Sequence, residues 1–507
     1  MPTETFRLTP VLMLLAVFAA LLVVGLISRS PRGEYYLVRG GRSGHVGTGA
    51  AIASNWMSAA SFLGIAGVFY LKGYFALAYV IGWTGGYVLL LILMAGQIRR
   101  FGKYTAPEFV GDRYESAAAR VLSAAVAILI SLVYCVAQYK GIGLVFSWIF
   151  GLDYTRSLLL GTVVVISYLV LSGALGAARN QRFQYIILLI SFIVPLMWVA
   201  NKLDFGWVIP QIGYGEALQE LGGTSDSRYT RPWAFGTVYQ WCALCFTLMV
   251  GTVGLPHVLS RFYTSDNIRD ARWSVVWGIF FIGLVYWSAP AYATFAKVSQ
   301  MRAGLSLDPA AQRQIADLIV VKAAQWSGVP DWITAVVAVG AITAAFYTVT
   351  GLLISGAGAF SYDIYYRFIN PRASQKRLMR IAKGSTLVLA FAVLLVAVNP
   401  PGLIAQITAV AFALAGNTLF PVFLLGIWWS RANKYGAIAG MLTGIGITVG
   451  SLFWGHFWPL LGALFPPTSS ALLGAPIVIV VMITVSLLTP PPSERIRRFL
   501  AEKVHQP

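Results

Sequence analysis

The sequence predicts an all-α, polytopic membrane protein, and three observations carry that prediction. Of the 507 residues, 58% are hydrophobic and only 11% are charged, whereas soluble domains carry roughly 25% charged residues. The mean hydropathy is +0.73. Apolar runs long enough to cross a bilayer recur along the whole chain. A water-soluble fold could not cover its surface with so few charges, so we expect the lipid bilayer as a partner.

About thirteen apolar segments are candidate transmembrane helices, because about 20 apolar residues span the hydrocarbon core. They lie near residues 9–28, 47–71, 74–97, 117–150, 157–176, 183–201, 233–254, 272–296, 331–361, 384–398, 402–429, 435–459 and 470–489. The first follows Arg7 as a signal peptide would, but it is long and lacks an A-x-A pattern before Arg29, so we expect a retained helix. The longest external loops, 202–232 and 297–330, are expected to be polar, with helical stretches at most.

The basic residues predict the orientation. Lys and Arg number 37, of which 26 fall in one alternating set of loops and 10 in the other. Because short basic loops stay on the cytoplasmic side, the N-terminus is predicted outside and the C-terminus inside. The net charge of +19 is then topological, and no nucleic-acid partner is expected. We expect a multi-pass protein of a bacterial-type cytoplasmic (inner) membrane.

The second span is interrupted by small polar residues. It reads AIASNWMSAASFLGIAG from Ala51, with Ser54, Asn55, Ser58 and Ser61 ahead of two glycines. Secondary transporters build their sites near the midplane from broken helices, and small polar residues can bind freed backbone or coordinate a hard cation through oxygen. No P-loop motif is present, which leaves an ion gradient as the economical energy source. The span is therefore the candidate core of the binding site; close helix packing is the alternative.

Two later spans carry related signals. The seventh ends in GTVGLPH, from Gly251 to His257, and a second break five spans after the first would fit an inverted repeat. The ninth carries a series of hydroxyls that could complete a sodium site: Thr343, Thr348, Thr350 and Ser355. Alternatively, these hydroxyls bond to carbonyls of their own helix, as membrane Ser and Thr often do.

Lys140 is the one charge in the interior of a predicted span, and it is flanked by Gln138 and Tyr139. A lysine in the membrane costs on the order of 3 kcal/mol by insertion scales, so a partner or a function is expected. Three roles remain open: binding an anion or the coupling reaction, snorkelling to the outer interface, and a structural pair with a carbonyl group.

Several motifs resemble the sodium:solute symporters and, within them, the acetate permease branch of cation/monocarboxylate carriers. They are MSAASFLG (Met57 to Gly64), YxxAQxxG (Tyr134 to Gly141), GLPHVLxRFYT (Gly254 to Thr264), FSYDIY (Phe360 to Tyr365) and YTAPEFxxxRY (Tyr104 to Tyr114). The likeness runs from about residue 34 to about residue 440. It implies thirteen helices in the leucine-transporter-type fold, with a 5+5 inverted repeat of spans 2–6 and 7–11.

This resemblance implies a division of the chain into three parts. Residues 1–46 would form an N-terminal helix with a cytoplasmic loop. Residues 47–429 would form the transporter core. Residues 430–507 would add two transmembrane helices and a short basic cytoplasmic tail.

The resemblance also implies a sodium site between the second and ninth spans. Ala53 and Met57 would contribute carbonyls and Thr348 its hydroxyl, with Asn55 and Tyr347 beside them. Two residues depart from the family: Tyr347 stands where many members have Ser, and Asn55 where acetate-permease-like chains often carry Asp. Sodium would then rely on neutral oxygens, and protonation of a desolvated Lys140 is an alternative means of coupling.

On the substrate side, Tyr134 matches a tyrosine of the family's proline carriers, and Lys140 stands where relatives have an apolar residue. The full set of expected substrate-side residues is Ser54, Ser58, Tyr134, Gln138, Lys140, Gly251 and Gly254.

The predicted function is cation-coupled import, with sodium or protons, of a short monocarboxylate: acetate, pyruvate, lactate or propionate. Alternatives are symport of another small solute such as an amino acid, or a transporter-like sensor subunit. A membrane enzyme would need acids, bases or metal ligands inside the spans, and no predicted span interior contains Asp or Glu. We therefore expect no catalysis and no cofactor beyond the coupling ion; the sequence leaves the oligomeric state open.

Overall fold

The computed structural model describes residues 5–27, 45–101, 105–179, 181–206, 209–222, 230–259, 268–305 and 307–504, and all regular structure within these ranges is helical. Among these residues, nine helical segments are long and apolar enough to cross a membrane, and three shorter apolar helices accompany them. The boundary predicted between the second and third spans coincides with the turn Gly73–Ala76, which divides the long apolar segment Ala60–Leu93 into two helices. The all-helical membrane class is confirmed, whereas the count of thirteen and the orientation stay predictions.

The helices in the first half of the chain are α1 (Leu8–Ile27), α2 (His45–Trp56), α3 (Ile65–Lys72), α4 (Leu77–Leu93), α5 (Ala95–Phe101), α6 (Ala106–Arg113), α7 (Ala117–Phe150), α8 (Tyr154–Arg179), α9 (Gln181–Lys202) and α10 (Pro210–Gly222). Those in the second half are α11 (Val238–Gly254), α12 (Pro256–Leu259), α13 (Ile268–Arg302), α14 (Pro309–Ile315), α15 (Ile319–Trp326), α16 (Asp331–Gly358), α17 (Gln375–Ala397), α18 (Ile404–Asn417), α19 (Leu419–Trp428), α20 (Lys434–Phe457), α21 (Pro459–Leu464), α22 (Ala471–Leu488) and α23 (Glu494–Phe499). Three stretches are π-helical, Ala60–Gly64, Ala359–Ile369 and Leu500–Val504, and two are 3-10 turns, Gly73–Ala76 and Ala316–Leu318.

The interruptions expected in the second and seventh spans are both present. In the second span, α2 ends at Trp56, Met57 and Ser58 are not helical, and the chain resumes through the π-helical turn Ala60–Gly64. In the seventh span, Leu255 takes an extended conformation between α11 and α12. Pro256 follows it and has no N–H to donate, so the helix cannot continue unbroken. Each break exposes backbone groups inside the bundle.

Two long helices, α7 and α16, pack against each other in the middle of the molecule. α7 also contacts α8 and α18, while α16 contacts α2 and α9. In addition, α13 packs against α2, and α11 packs against α4 and α18. The broken second span is thus enclosed by long helices, and its Trp56 and Met57 are buried.

The segment predicted as an external polar loop at 297–330 enters the bundle. It contains α14, the turn Ala316–Leu318 and α15, and both Ala316 and Asp317 are buried. The turn packs closely on α3 because Gly67 has no side chain: a Cβ there would lie 2.5 Å from the carbonyl oxygen of Ala316. An acidic side chain therefore lies inside the helical bundle, where the hydropathy pattern placed none.

Candidate functional site

The amides freed by the break in the second span are bound by two side chains. Ser58 Oγ accepts hydrogen bonds from the N–H groups of Ala60 (3.1 Å) and Ser61 (3.3 Å), so it caps the helix that resumes there. Gln138 Oε1, on α7, accepts the N–H of Ala59 at 2.8 Å. The break is thus a stable feature of the fold, since the exposed amides have partners.

One polar group of these side chains, the Nε2 of Gln138, has no partner within the described part of the chain. Gln138 is fully buried, and its Nε2 has no hydrogen-bond partner among the described residues. The Tyr134 hydroxyl lies 3.4 Å from Ser58 Oγ, at the long limit of a hydrogen bond. A buried donor without a partner is unfavourable by about 1–3 kcal/mol. Gln138 Nε2 is therefore well suited to bind an acceptor atom of a ligand.

An aromatic wall surrounds these polar groups. The Trp56 indole N–H donates to the Tyr286 hydroxyl at 2.7 Å, and the Trp56 ring centroid lies 5.6 Å from that of Phe412. Tyr134 contacts the rings of His257 and Phe412, both at 5.8 Å. Sequence reasoning missed Tyr286 and Phe412, because they lie on apolar helices far along the chain and carry no local signal. Trp56 is part of the polar stretch in the second span and could have been included.

The hydroxyls of the ninth span divide into two kinds. Thr343 donates to the carbonyl of Val339 (2.8 Å) and Thr350 to that of Phe346 (2.9 Å), so these two bond to their own helix. Thr348 is buried, and its hydroxyl has no partner among the described residues. Thr348 is the threonine that the resemblance placed in the cation site.

The other expected cation-side residues lie at the broken end of α2, which packs against α16. Ala53 and Met57 are fully buried, and the Ala53 carbonyl accepts the Met57 N–H at 2.8 Å. A carbonyl oxygen has a second lone pair, so this bond leaves room for a cation. Tyr347 and Ser54 are also buried, whereas the side chain of Asn55 lies outside the described residues.

Gly251 and Gly254 have a packing role. A Cβ at Gly251 would collide with the carbonyl oxygen of Phe412, and one at Gly254 would lie 2.5 Å from that of Ala415. Both glycines therefore let the backbone of α11 approach α18, and the space in front of their Cα atoms is already filled by protein.

Lys140 has a carboxylate partner that the sequence did not indicate. Its Nζ lies 2.5 Å from Asp317 Oδ2 and donates to the carbonyl of Gly402 at 2.8 Å. Asp317 in turn accepts the N–H of Ile404, the first residue of α18, at 3.2 Å. Burial raises the pKa of the Asp317 carboxyl group, and the positive charge of Lys140 acts in the opposite direction.

This pair changes what was expected of Lys140. Its contacts are a carbonyl group, as one of the three open roles expected, and a carboxylate, which none of them expected. Residues two apart on a helix point about 200° apart, so Lys140 leaves α7 on the side away from Gln138. Its ammonium group joins α7 to α18 and to the turn Ala316–Leu318, and it is not one of the groups that surround Ser58.

A cation at the break would be held by neutral oxygens. Within the described part of the chain, no group of three or more His, Cys, Asp or Glu side chains could hold a metal ion. Secondary transporters coordinate sodium with unwound backbone carbonyls at broken helices, and neutral oxygens in general suit a hard cation. The groups present, the carbonyls of Ala53 and Met57 and the hydroxyl of Thr348, are of that kind.

Comparison with known proteins gives consistent results. The chain matches the model of the sodium:solute symporter family over residues 35–444. It is 29% identical to an uncharacterized symporter of Cupriavidus necator, over 92% of this chain and 89% of that protein. It is 31% identical to the uncharacterized symporter YwcA of Bacillus subtilis, over 81% of this chain and 79% of that protein. Neither relative's name specifies a substrate.

Among solved structures, the substrate-bound, outward-open state of a Na⁺-coupled sialic acid symporter superposes with a TM-score of 0.78 at 17% identity, covering 96% of this chain and 100% of that one. Mhp1, a nucleobase-cation-symport-1 family transporter in a closed conformation with bromovinylhydantoin bound, gives a TM-score of 0.53 at 12% identity, covering 94% and 99%. At such identities the likeness concerns the fold, which is that of the leucine-transporter-like symporters. With the family match over most of its length, the chain belongs to the sodium:solute symporter family.

Proposed function

We propose that this symporter imports a short monocarboxylate, with acetate, pyruvate, lactate and propionate as candidates. The observation that carries the proposal is the unpartnered Nε2 of Gln138, buried beside Ser58 at the break. A carboxylate offers acceptor oxygens to this donor and to the hydroxyls of Ser58 and Tyr134. The aromatic wall formed by Trp56 and Phe412 favours a small solute. The acetate-permease-like motifs of the second and fourth spans point the same way.

The coupling ion is proposed to be sodium, bound between the Ala53 and Met57 carbonyls and the Thr348 hydroxyl, with Asn55 and Tyr347 beside them. Two features favour sodium over a proton. The donors are neutral oxygens, which suit a hard cation. Lys140, the other candidate for coupling, is already paired with Asp317.

A second candidate substrate is a small amino acid such as proline. It is favoured by Tyr134, which corresponds to a substrate-side tyrosine of the family's proline carriers and here lies next to Ser58 and His257. A carboxylate group is common to both substrate classes, so Gln138 serves either one.

Uptake into proteoliposomes distinguishes these proposals. Labelled acetate, pyruvate and proline are offered under a sodium gradient alone and under a proton gradient alone. We expect a monocarboxylate to accumulate with the sodium gradient and not with the proton gradient. Accumulation of proline only would select the alternative substrate, and accumulation that ignores both gradients would remove symport.

The cation site has a matched pair of variants on one helix. Thr348→Ala removes a hydroxyl with no internal partner, whereas Thr343→Ala removes one that is bonded to Val339. We expect Thr348→Ala to raise the half-saturating sodium concentration about tenfold, the loss of one ligand contact of about 1.4 kcal/mol. Thr343→Ala should leave it unchanged. An equal response of the two variants would place the cation elsewhere.

A further inference from the structure

The segment that follows the last span folds back onto the molecule. It consists of α23 (Glu494–Phe499) and the π-helical turn Leu500–Val504, which we call together the tail helix. Three apolar side chains, spaced four residues apart, are buried along one face: Ile496, Leu500 and Val504. The neighbouring Ala501 is exposed. One face of the tail helix is therefore docked on the protein.

The docking surface is formed by α5. The Phe101 ring at the end of α5 lies 5.2 Å from Phe499 of the tail helix and 4.5 Å from Phe109 of α6. Arg100 Nη1 donates to the carbonyl of Val504 at 3.2 Å. Apolar contacts and a charge-assisted hydrogen bond thus attach the tail helix to α5.

An ion pair extends the attachment to the start of α7. Arg495 lies 3.1 Å from Glu115, which precedes that helix. The Arg495 side chain is exposed and that of Glu115 is partly covered, so the pair stabilises the docked tail helix less than the buried apolar face does.

α5 is connected to the candidate site through α4. Only Met94 separates α5 from α4, and Tyr87 of α4 packs 4.8 Å from Trp56 at the break. Alternating access requires one group of helices to move against another around the site. Because closely packed helices transmit displacement, whatever holds α5 also restrains α4 and its contact with Trp56.

We propose that the tail helix is a strap that holds α5 in the position seen here and thereby slows the transport cycle. The partner of this surface is the chain's own tail, and its release raises the turnover rate without altering the substrate contacts. The inference rests on the symport function described above.

Release is tested with two glutamates that differ by one position. Leu500→Glu places a charge in the docked face, whereas Ala501→Glu places the same charge on the exposed face. We expect Leu500→Glu to raise the maximal uptake rate about fivefold, with KM for the solute unchanged, if undocking shifts a restrained population by that factor. Ala501→Glu should match the wild type. If Leu500→Glu does not yield folded protein, Leu500→Asn serves instead, with Ala501→Asn as its exposed control and the same expected difference.

The converse experiment fixes the tail helix in place. Cysteines replacing Arg100 and Val504 are joined by a short bifunctional maleimide, in a Cys242→Ser background because Cys242 is exposed. We expect cross-linking to lower uptake severalfold, while either single-cysteine chain treated in the same way keeps its rate.

Different outcomes separate the strap from the proposed substrate. A wild-type chain that accumulates none of the three solutes contradicts the proposed substrate class. The strap is then tested without an uptake measurement. The rate at which a maleimide labels Val504→Cys is measured with and without sodium, and Ala501→Cys is the exposed control. Labelling that sodium leaves unchanged in that case overturns the strap. Where uptake is measurable, equal maximal rates for Leu500→Glu and Ala501→Glu, or a cross-link without effect, overturn it.

Discussion

Two buried ion pairs hold α7 at two levels. Near its start, Arg120 pairs with Asp363 of the π-helical stretch Ala359–Ile369. Twenty residues later, which is about 30 Å at helical rise, Lys140 pairs with Asp317 of the turn Ala316–Leu318. Each acid comes from a segment far away in sequence, so each pair fastens α7 to a different part of the fold.

The two pairs differ in the number of acidic side chains near the cation. Asp363 accepts hydrogen bonds from Arg120 Nη2 (2.7 Å) and from the Thr105 hydroxyl (3.0 Å). Arg120 also lies within 3.9 Å of Glu108 and 3.8 Å of Asp112. This network contains more than one acid for its central cation.

Lys140, in contrast, has a single carboxylate. Among the described residues, its hydrogen-bond partners are Asp317 and the carbonyl of Gly402. Loss of Asp317 would leave a mostly buried ammonium group with a neutral partner, whereas loss of Asp363 would leave Arg120 with two acids nearby. The charge of Lys140 therefore depends on one carboxylate, whereas that of Arg120 does not.

The largest expected effect comes from Asp317→Ala. Removing one partner of a buried pair leaves an uncompensated charge, which destabilises by about 3–5 kcal/mol. Unfolding of the purified protein in mixed micelles measures it. Asp308→Ala is the control, because Asp308 caps α14 in an exposed position and loss of a cap costs about 1 kcal/mol. A loss no greater than that of the control would show that Lys140 finds compensation elsewhere.

Asp363→Ala is expected to destabilise less, by about 1.5–3 kcal/mol, since hydrogen bonds to a charged group are lost but Glu108 and Asp112 remain near Arg120. The same unfolding measurement applies. If Asp363→Ala costs as much as Asp317→Ala, the neighbouring acids do not compensate and the contrast between the two ends fails.

The break in the second span could be predicted because its signal is local. Ser54, Ser58 and Ser61 stand in an otherwise apolar run, and short polar residues there are sufficient to indicate an interrupted helix. The partner of Lys140 could not be predicted in this way. Asp317 is 177 residues away, in a segment whose composition is that of a polar loop, and tertiary packing alone brings it to α7.

Which hydroxyl of α16 does not bond to its own helix could also not be predicted from the sequence. Thr343, Thr348 and Thr350 have the same chemistry, and whether a hydroxyl bonds to its own helix depends on its side-chain rotamer. The number of transmembrane spans is likewise difficult to predict from the hydropathy alone. The turn Gly73–Ala76 joins α3 to α4 without a polar loop, and only the positive φ of 47° at Gly73 marks the bend.

Removing both members of the second pair tests the reason for its sensitivity. In the double variant Lys140→Met with Asp317→Ala, no buried charge is left without compensation, so the loss should fall to about 1–2 kcal/mol, less than that of Asp317→Ala alone. The remaining loss reflects the Ile404 N–H, which no longer has its acceptor. A double variant as unstable as Asp317→Ala would show that packing around the acid, and not charge, is responsible.

The smallest effect is expected at the outer edge of the first pair. Arg367 lies 3.4 Å from Glu108 and is 43% exposed in its side chain, so Arg367→Ala should cost only about 0.2–1 kcal/mol. That loss should disappear at high salt, because ions screen exposed charges far more than buried ones. The loss from Asp363→Ala should persist under the same conditions. If high salt abolishes both losses, the Arg120–Asp363 pair is accessible to ions. It would then stabilise the start of α7 no more than the exposed Arg367–Glu108 pair does.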